Sequence, residues 1–157
     1  MKKKVLSIIA LVALLATSLI VLAGCAADNK ESSSNGGKKE SFYELKYDEP
    51  KGYASVLDFG GEDNKTKNYI FGEADGSISI NYKKGKGYAE VEESFYDEHT
   101  EKEINGTTWR VMSNDDLGVK SYFYYVVHND ALYLIELNGV DKFKDNMLDF
   151  INTLSFK

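Results

Sequence analysis

Every aromatic side chain of this 157-residue chain lies after residue 41. The twenty aromatic residues make residues 41–157 about one-sixth aromatic, and the first 40 residues contain none. Aromatic side chains bury large apolar areas and dominate protein cores. A segment of this length suits one globular domain and is too short for two of ordinary size. We therefore expect a single folded domain over residues 41–157.

The first 24 residues have the organisation of an export signal. Positive charge at Lys2–Lys4 precedes an apolar run, residues 5–23, that includes only three hydroxyl-bearing residues. An apolar run of this length is also long enough for an uncleaved membrane anchor with its lysines in the cytoplasm. The small residues that end the run favour cleavage, because a narrow peptidase site excludes bulky side chains.

The signal ends in Leu22-Ala23-Gly24-Cys25, which resembles the lipobox of bacterial lipoproteins. The resemblance implies diacylglyceryl transfer to the Cys25 thiol, cleavage after Gly24, and a mature chain that starts at the acylated cysteine. Two acyl chains give a stable membrane anchor, whereas one chain binds only marginally. The sequence thus predicts a lipid-anchored protein on the extracytoplasmic face of a bacterial cell membrane. Cys25 is the only cysteine, so a disulfide framework is excluded.

Residues 25–40 predict a flexible tether that follows the lipidated cysteine. They are rich in Ser, Gly, Asn and charged residues, and they offer nothing apolar to bury. As a flexible coil they would have a root-mean-square span of about 20 Å.

The net charge excludes one class of partner. After residue 24 the chain has sixteen basic and 25 acidic residues, a net charge of −9. An acidic chain repels phosphate backbones, so we expect no nucleic-acid binding.

Short strands and hairpin turns dominate the folded segment. Asp75-Gly76, Asn105-Gly106 and Asn129-Asp130 indicate hairpins. Residues 60–67 are predicted as a polar loop. The predicted strands are 42–47, 53–59, 68–72, 77–82, 101–104, 107–112, 119–128 and 131–137. In strand 77–82, Ile78, Ile80 and Tyr82 alternate with Ser77, Ser79 and Asn81, which predicts one buried and one wet face.

Two helices complete the predicted fold. Residues 88–98 have helical spacing of Tyr88, Val91 and Phe95, which favours a short surface helix. Apolar residues from Val140 to Leu154 recur every three or four positions and predict a long amphipathic C-terminal helix. The expected fold is therefore α+β, an antiparallel sheet with a short mid-chain helix and the long helix packed on it.

Several segments resemble the PsbP-like or DcrB-like α/β/α sandwich family. They are residues 47–53, Ile104-Asn105-Gly106-Thr107-Thr108-Trp109, the tyrosine-rich strand pair, and the closing segment from Phe143 to Phe156. The resemblance implies an accessory protein of membrane complexes or a lipoprotein without assigned activity. It brings no shared catalytic motif.

Catalytic and metal sites have weak support in the sequence. Ser94, Asp97 and His99 are the residue types of a hydrolytic triad, but no Gly-x-Ser-x-Gly elbow accompanies them. His128 ends an apolar strand beside a turn, which is typical of a capping or solvent-facing histidine. Two histidines and one cysteine are too few for a histidine-rich zinc site. We predict no catalytic residue, no resident metal and no cofactor.

Loop carboxylates are the remaining candidates for a metal. None fits the calcium-loop pattern, and turn chemistry accounts for each of them, although adventitious calcium stays open. The residues concerned are Asp63, Asn64, Asp75, Asp115 and Asp116.

Four tyrosines of the two long strands support one binding hypothesis. They are Tyr122, Tyr124, Tyr125 and Tyr133. Tyrosine is enriched at binding hot spots, so an aromatic-rich sheet surface would suit an envelope protein partner. The alternative is that the rings fill the core while the hydroxyls reach its edge.

The sequence favours a non-enzymatic accessory or binding domain held at the membrane by lipid on Cys25. One alternative is a small cell-envelope hydrolase, since paired carboxylates for glycoside hydrolysis have no sequence spacing that reveals them. The other is an anchored small-ligand binder with a concave pocket beside the sheet.

Overall fold

The computed structural model describes residues 38–91, 98–116 and 119–156. The predicted signal segment, Cys25 and most of the predicted tether lie outside these ranges. Residues 92–97, most of the predicted mid-chain helix, also lie outside them.

The described ranges contain ten strands, one α-helix and one 3-10 turn. The strands are β1 (Lys39–Phe42), β2 (Leu45–Asp48), β3 (Tyr53–Gly60), β4 (Asn64–Phe71), β5 (Gly76–Lys84), β6 (Glu98–Ile104), β7 (Thr107–Asp116), β8 (Val119–His128), β9 (Ala131–Asn138) and β10 (Ser155–Phe156). The helix α1 spans Val140–Ile151, and the 3-10 turn spans Tyr88–Glu90. The first described strand begins at Lys39, two residues before the predicted domain boundary.

The strands form two antiparallel sheets. The large sheet has seven strands in the order β3-β4-β5-β9-β8-β7-β6, and the small sheet has the order β1-β2-β10. β5 pairs with β9 over eight residues, from Ser77 opposite Asn138 to Lys84 opposite Ala131. This long-range pair joins the hairpins on either side into one sheet.

Left-handed turn residues close the predicted hairpins. Asn129 and Asp130 have φ of 46° and 58°, as a two-residue type I′ turn requires, and they join β8 to β9. Asn105 and Gly106 have φ of 47° and 80° and join β6 to β7. The predicted hairpins at these two positions are confirmed.

Alternation along the strands gives the large sheet two different faces. The face packed against the small sheet and α1, which we call the core face, consists of buried apolar residues. They include Tyr69, Ile78, Ile80, Tyr82, Trp109, Val111, Tyr124, Val126, Tyr133, Ile135 and Leu137. We call the opposite side the outer face.

The small sheet and the C-terminus are fixed to the core face by specific contacts. The Tyr47 hydroxyl lies 3.2 Å from that of Tyr69, inside the core. The Asn105 side chain donates to the carbonyl oxygens of Asn152 and Leu154, at 2.9 and 3.0 Å. These bonds hold the chain end under the β6–β7 hairpin, where Phe156 stacks on Trp109.

The predicted α+β fold with a long C-terminal helix is wrong, because the described residues form a β-rich fold with one short helix. α1 has twelve residues and ends at Ile151. Thr153 donates its hydroxyl to the Phe150 carbonyl oxygen at 2.7 Å and accepts from the Asp48 amide at 3.0 Å, which diverts the chain from helix into β10. Phe156 then pairs with Leu45. Tertiary pairing overrides the helical spacing there.

Other elements also differ from the predictions. The predicted strand 42–47 is two strands, because Tyr43 takes a φ of 56° and turns β1 back onto β2. The predicted polar loop 60–67 contains the first half of β4. Of the mid-chain helix, the described part has only the 3-10 turn, and Glu98 already belongs to β6. The described residues place one α-helix on one face, not the two helical layers of an α/β/α sandwich.

Two glycines with similar φ test how tightly α1 is seated on the sheet. Gly139 (φ 72°) precedes α1, and a Cβ there would overlap the Asp75 carbonyl oxygen. Gly85 (φ 64°) has nothing within 4 Å of such a Cβ. We expect Gly85→Ala to lower the free energy of unfolding by about 1–2 kcal/mol, the cost of a left-handed non-glycine residue. Gly139→Ala should lower the free energy of unfolding by about 1–3 kcal/mol more than Gly85→Ala does, because the added methyl overpacks the contact with Asp75. Urea unfolding measures both values. Equal decreases in the two variants would contradict the close packing at the start of α1.

Candidate functional site

Strand register places the outer-face side chains in rows that run across the sheet. One row is Leu57, Asn68, Ser79, Glu136, Phe123, Met112 and His99. The next is Phe59, Thr66, Asn81, Leu134, Tyr125, Arg110 and Glu101. Each row is polar and uncharged on β4 and β5, apolar on β8 and charged or titratable on β6. The outer face therefore has two distinct halves.

An apolar group of residues, which we call the outer cluster, occupies the β9–β8–β7 half. Its buried members are Met112, Tyr125 and Leu132. Five partly buried residues pack against them: Tyr88, Val91, Phe123, Val127 and Leu134. The Tyr88 ring meets Tyr125 edge-on at 5.8 Å between centroids. The 3-10 turn thus covers part of the outer face.

A cleft opens beside the outer cluster at the β6 edge. It has a volume of about 480 Å³ and is lined by His99, Thr100, Glu101, Arg110, Val111 and Tyr125. The Arg110 guanidinium lies 4.2 Å from the centre of the Tyr88 ring, a cation–π distance. This contact holds the 3-10 turn at the cleft wall.

On the β3–β4–β5 half, nine adjoining outer-face positions have uncharged side chains, and we call these nine the neutral plateau; the next row of the same face, Asn64 and Lys83, borders it with one positive charge. The plateau residues are Ser55, Leu57, Phe59, Thr66, Asn68, Ile70, Ser77, Ser79 and Asn81. Thr66 donates its hydroxyl to Asn81 Oδ1 at 2.7 Å, and Ser79 donates to Asn68 Oδ1 at 3.2 Å. Phe59, on the edge strand, is 55% exposed.

The lysines of β4 lie on the opposite side of the strand from the plateau. Lys67 is 3.6 Å from Glu40 of the small sheet, and Lys65 is 3.6 Å from Asp58. The alternating segment Asn64-Lys65-Thr66-Lys67-Asn68 thereby sends charge to one face and neutral polar groups to the other.

The structure does not bring the predicted tyrosine surface together. Tyr124 and Tyr133 lie on the core face and are 4% and 1% exposed, whereas Tyr125 belongs to the outer cluster and is 1% exposed. Tyr122 is partly buried and packs against the core. Burial raises the pKa of Tyr124 and of Tyr133 above the usual tyrosine value. These rings are buried in apolar packing, as the alternative hypothesis states, and they do not form an exposed contact surface.

The three residues of hydrolytic-triad type, which the sequence does not favour as a site, are only partly described. Ser94 and Asp97 lie outside the described residues. His99 is exposed on the edge strand β6 and lines the cleft.

His128 ends β8, as predicted, and it packs against other side chains. Its ring stacks on Phe156 at 4.1 Å between centroids, and its Nε2 lies 3.3 Å from Glu44 Oε2. These contacts join the turn after β8 to the small sheet, which is a structural role.

The loop carboxylates are separated from one another. Asp63 pairs with Lys84 at 3.2 Å, and Asp75 pairs with Lys142 of α1. Asn64 and Asp115 lie within β4 and β7, and Asp116 is the last residue of β7. In the three described ranges, no group of three or more His, Cys, Asp or Glu side chains is placed to hold a metal ion.

Sequence reasoning missed two parts of the outer face. Thr66 fell in the predicted loop, although its alternation with Lys65 and Lys67 was a visible strand signal. No sequence signal paired Tyr88 with Arg110, because their contact depends on long-range register.

Comparison with models of protein families finds no match to this chain, and comparison with curated proteins finds none. Residue geometry is accordingly the basis of the functional assignment.

The buried tyrosines give the protein a distinct response to alkali. Because burial raises their pKa values, the folded state keeps protons that the unfolded state loses, so stability should fall as pH rises above about 10. Tyr124→Phe should make this fall shallower. It should also leave the tyrosinate absorbance gained before unfolding unchanged, as measured by alkaline spectrophotometric titration. A decrease before unfolding equal to about one-eleventh of the total tyrosinate absorbance of the unfolded chain, the share of one of eleven tyrosines, would show that Tyr124 ionises as an exposed side chain.

Proposed function

We propose that the chain is a lipid-anchored extracytoplasmic binding protein that acts without catalysis and makes contact through its outer face. The observation that carries the proposal is the difference between the two faces of the large sheet. The core face is covered by the small sheet and α1, whereas the outer face carries the uncharged neutral plateau.

The anchor assignment is supported by the N-terminal sequence. Leu22-Ala23-Gly24-Cys25 supplies the sulfur, and residues 26–38 supply the length that lets the body clear the headgroups. In the part of the chain that the structure describes, no helix is long and apolar enough to cross a membrane.

The attachment point supports use of the outer face. The first described strand, β1, belongs to the small sheet and lies beside Lys67 through Glu40. An anchor upstream of Lys39 therefore holds the body by the layer that covers the core face. The neutral plateau, on the opposite layer, stays accessible to material outside the membrane.

The chemistry of the plateau supports recognition. Its polar members carry amides and hydroxyls, which donate and accept hydrogen bonds at all physiological pH values. General acid–base catalysis needs groups that titrate near the operating pH, and the plateau residues are not of that kind.

The cleft favours a second candidate, an anchored small-ligand binder. Its volume of about 480 Å³ falls in the range of small-molecule sites, and Glu101 and Arg110 offer opposite charges.

Replacing the anchor sulfur tests the proposal. Cys25→Ser should abolish metabolic labelling by fatty acid and release the body from the membrane or leave its signal uncleaved, because serine supplies no thiol for diacylglyceryl transfer. Labelling and membrane fractionation measure this, with the tether variant Ser34→Ala as the matched control. A processed, acyl-labelled, membrane-bound Cys25→Ser protein would overturn the anchor assignment.

Photo-crosslinking in cells tests whether the outer face of the large sheet is the contact surface. A photoreactive residue at position 68, on the plateau, should give adducts, and one at Lys46, exposed on the small sheet, should not. Adducts from position 46 alone, or equally from both positions, would contradict the outer face as the contact surface.

A further inference from the structure

We propose that the chain forms a symmetric dimer in which the edge strand β6 pairs with β6 of a second copy, antiparallel and centred on Thr100. The inference goes beyond the proposed function, because it concerns the β6 edge of the large sheet and not the plateau. Three features carry it: a regular and exposed strand edge, a charge pattern that complements itself in one register, and a symmetry axis that suits two anchored copies.

The β6 edge is regular and exposed. β6 is the last strand of the large sheet and, among the described residues, pairs only with β7. That pairing runs from one end of β6 to the other without a register shift, and the side chains of His99, Thr100 and Glu101 are exposed. A regular edge strand is a template for a further strand. The opposite edge, β3, is interrupted between Tyr53 and Ser55, which makes it a poorer template.

The hairpin turn determines which residues of β6 can pair outward. Both residues of the Asn105-Gly106 turn have positive φ, so this is a two-residue type I′ turn whose flanking residues hydrogen-bond to each other. Hydrogen-bonded pairs alternate along an antiparallel ladder. Counting back from the turn, His99, Glu101 and Glu103 therefore direct their N–H and C=O groups away from β7. A strand added at this edge forms its hydrogen-bonded pairs with these three residues.

Charge selects one register among those that the backbone allows. With the twofold axis at Thr100, His99 of each copy lies opposite Glu101 of the other, and an imidazole N–H can donate to the carboxylate. Lys102 lies opposite position 98, which is glutamate in the sequence. An axis at position 101 would place two glutamates opposite each other, and an axis at position 102 would do the same with two lysines. Opposite charges across strands stabilise a sheet and like charges destabilise it, so the second copy fits best at Thr100.

The symmetry of this pairing suits two copies in one membrane. Antiparallel pairing within a continuous sheet reverses the strand direction and keeps each face on its own side, so the twofold axis is perpendicular to the sheet. Both small sheets, each with its β1, then lie on one side of the dimer, and both outer faces lie on the other. Anchors upstream of Lys39 would reach the same membrane, with the axis along the membrane normal.

The size of the contact predicts a weak dimer that the membrane strengthens. A pair of short edge strands buries less area than a stable soluble dimer needs. Confinement of both copies to one membrane plane raises their effective concentration. We therefore expect dimers among anchored copies and mostly monomers in dilute solution.

Disulfide trapping in intact cells tests the register on the full-length chain. Thr100 would face its own copy at a non-hydrogen-bonded position, where Cα atoms lie about 4.5 Å apart, a distance that a disulfide spans. After oxidation with copper phenanthroline, Thr100→Cys should give a reducible product of twice the chain mass. The matched control is Glu103→Cys, exposed on the same strand. Its two copies would lie about 20 Å apart, six residues along the strand, and should stay monomeric.

Charge reversal tests the complementarity. Added to Thr100→Cys, Glu101→Lys should lower the dimer yield about threefold or more, because it replaces both carboxylates that face His99. Glu73→Lys, the same change at an exposed residue of the turn between β4 and β5, should leave the yield unchanged. Circular dichroism of the purified proteins first establishes that each variant is folded.

Three results would overturn the dimer: no dimer from folded Thr100→Cys, equal yields from Thr100→Cys and Glu103→Cys, or a yield that Glu101→Lys leaves unchanged. Absence of the dimer together with fatty-acid labelling at Cys25 and adducts at position 68 would leave the proposed function standing. A wild-type disulfide dimer would show a free Cys25 thiol and overturn the anchor alone. Thr100→Cys combined with Cys25→Ser should then still give the dimer in concentrated solution, and failure to do so would overturn the β6 contact.

Discussion

Burial of aromatic and branched side chains against one face of the seven-stranded sheet is the interaction on which the rest of the structure depends. The β5–β9 pair brings Ile78, Ile80, Ile135 and Leu137, all fully buried, to the centre of that face. Each such side chain contributes about 1.5–3 kcal/mol by leaving water. The small sheet and α1 have little stability alone, since a two- or three-stranded unit needs a packed surface. Both elements exist because the core face gives their apolar sides a partner.

The small sheet and α1 cover only the core face, so packing places fewer constraints on the side chains of the outer face. Near β8, Tyr88 and Val91 cover part of the outer face through the outer cluster. Near β3, the plateau remains uncovered among the described residues, and its nine side chains are uncharged. The first described strand belongs to the small sheet, so the tether that we propose would join the layer opposite the proposed recognition face. This arrangement suits a protein that is held at a membrane and touches something beyond it.

Local sequence signals were sufficient to predict most strands, but they were insufficient to predict the structure of the C-terminal segment. Alternation predicted β5, and the Asn-Gly and Asn-Asp turns predicted the hairpins, because both effects act over a few residues. Leu154 continues the helical spacing of α1, but the chain leaves the helix before it, because Phe156 pairs with Leu45 in a strand more than 100 positions earlier. Tyr124 and Tyr125 are neighbours in an apolar run, so alternation puts them on opposite faces, but only the sheet register shows that Tyr124 is the one that faces the core. The plateau was half predicted: Ser77, Ser79 and Asn81 by alternation, and Thr66 not at all.

Thiol accessibility in living cells tests the account most directly, because an acylated Cys25 leaves the native chain without a free thiol. We expect Asn68→Cys to react with a membrane-impermeant maleimide on intact cells and to stay in the membrane fraction. Ile78→Cys, on the core face, should react only after denaturation, and the wild-type chain should not react even after denaturation. Reaction of the denatured wild-type chain would reveal that Cys25 is not acylated. Equal reaction of folded Asn68→Cys and Ile78→Cys would contradict the two-faced sheet, and reaction of Asn68→Cys only after lysis would place the body inside the cell.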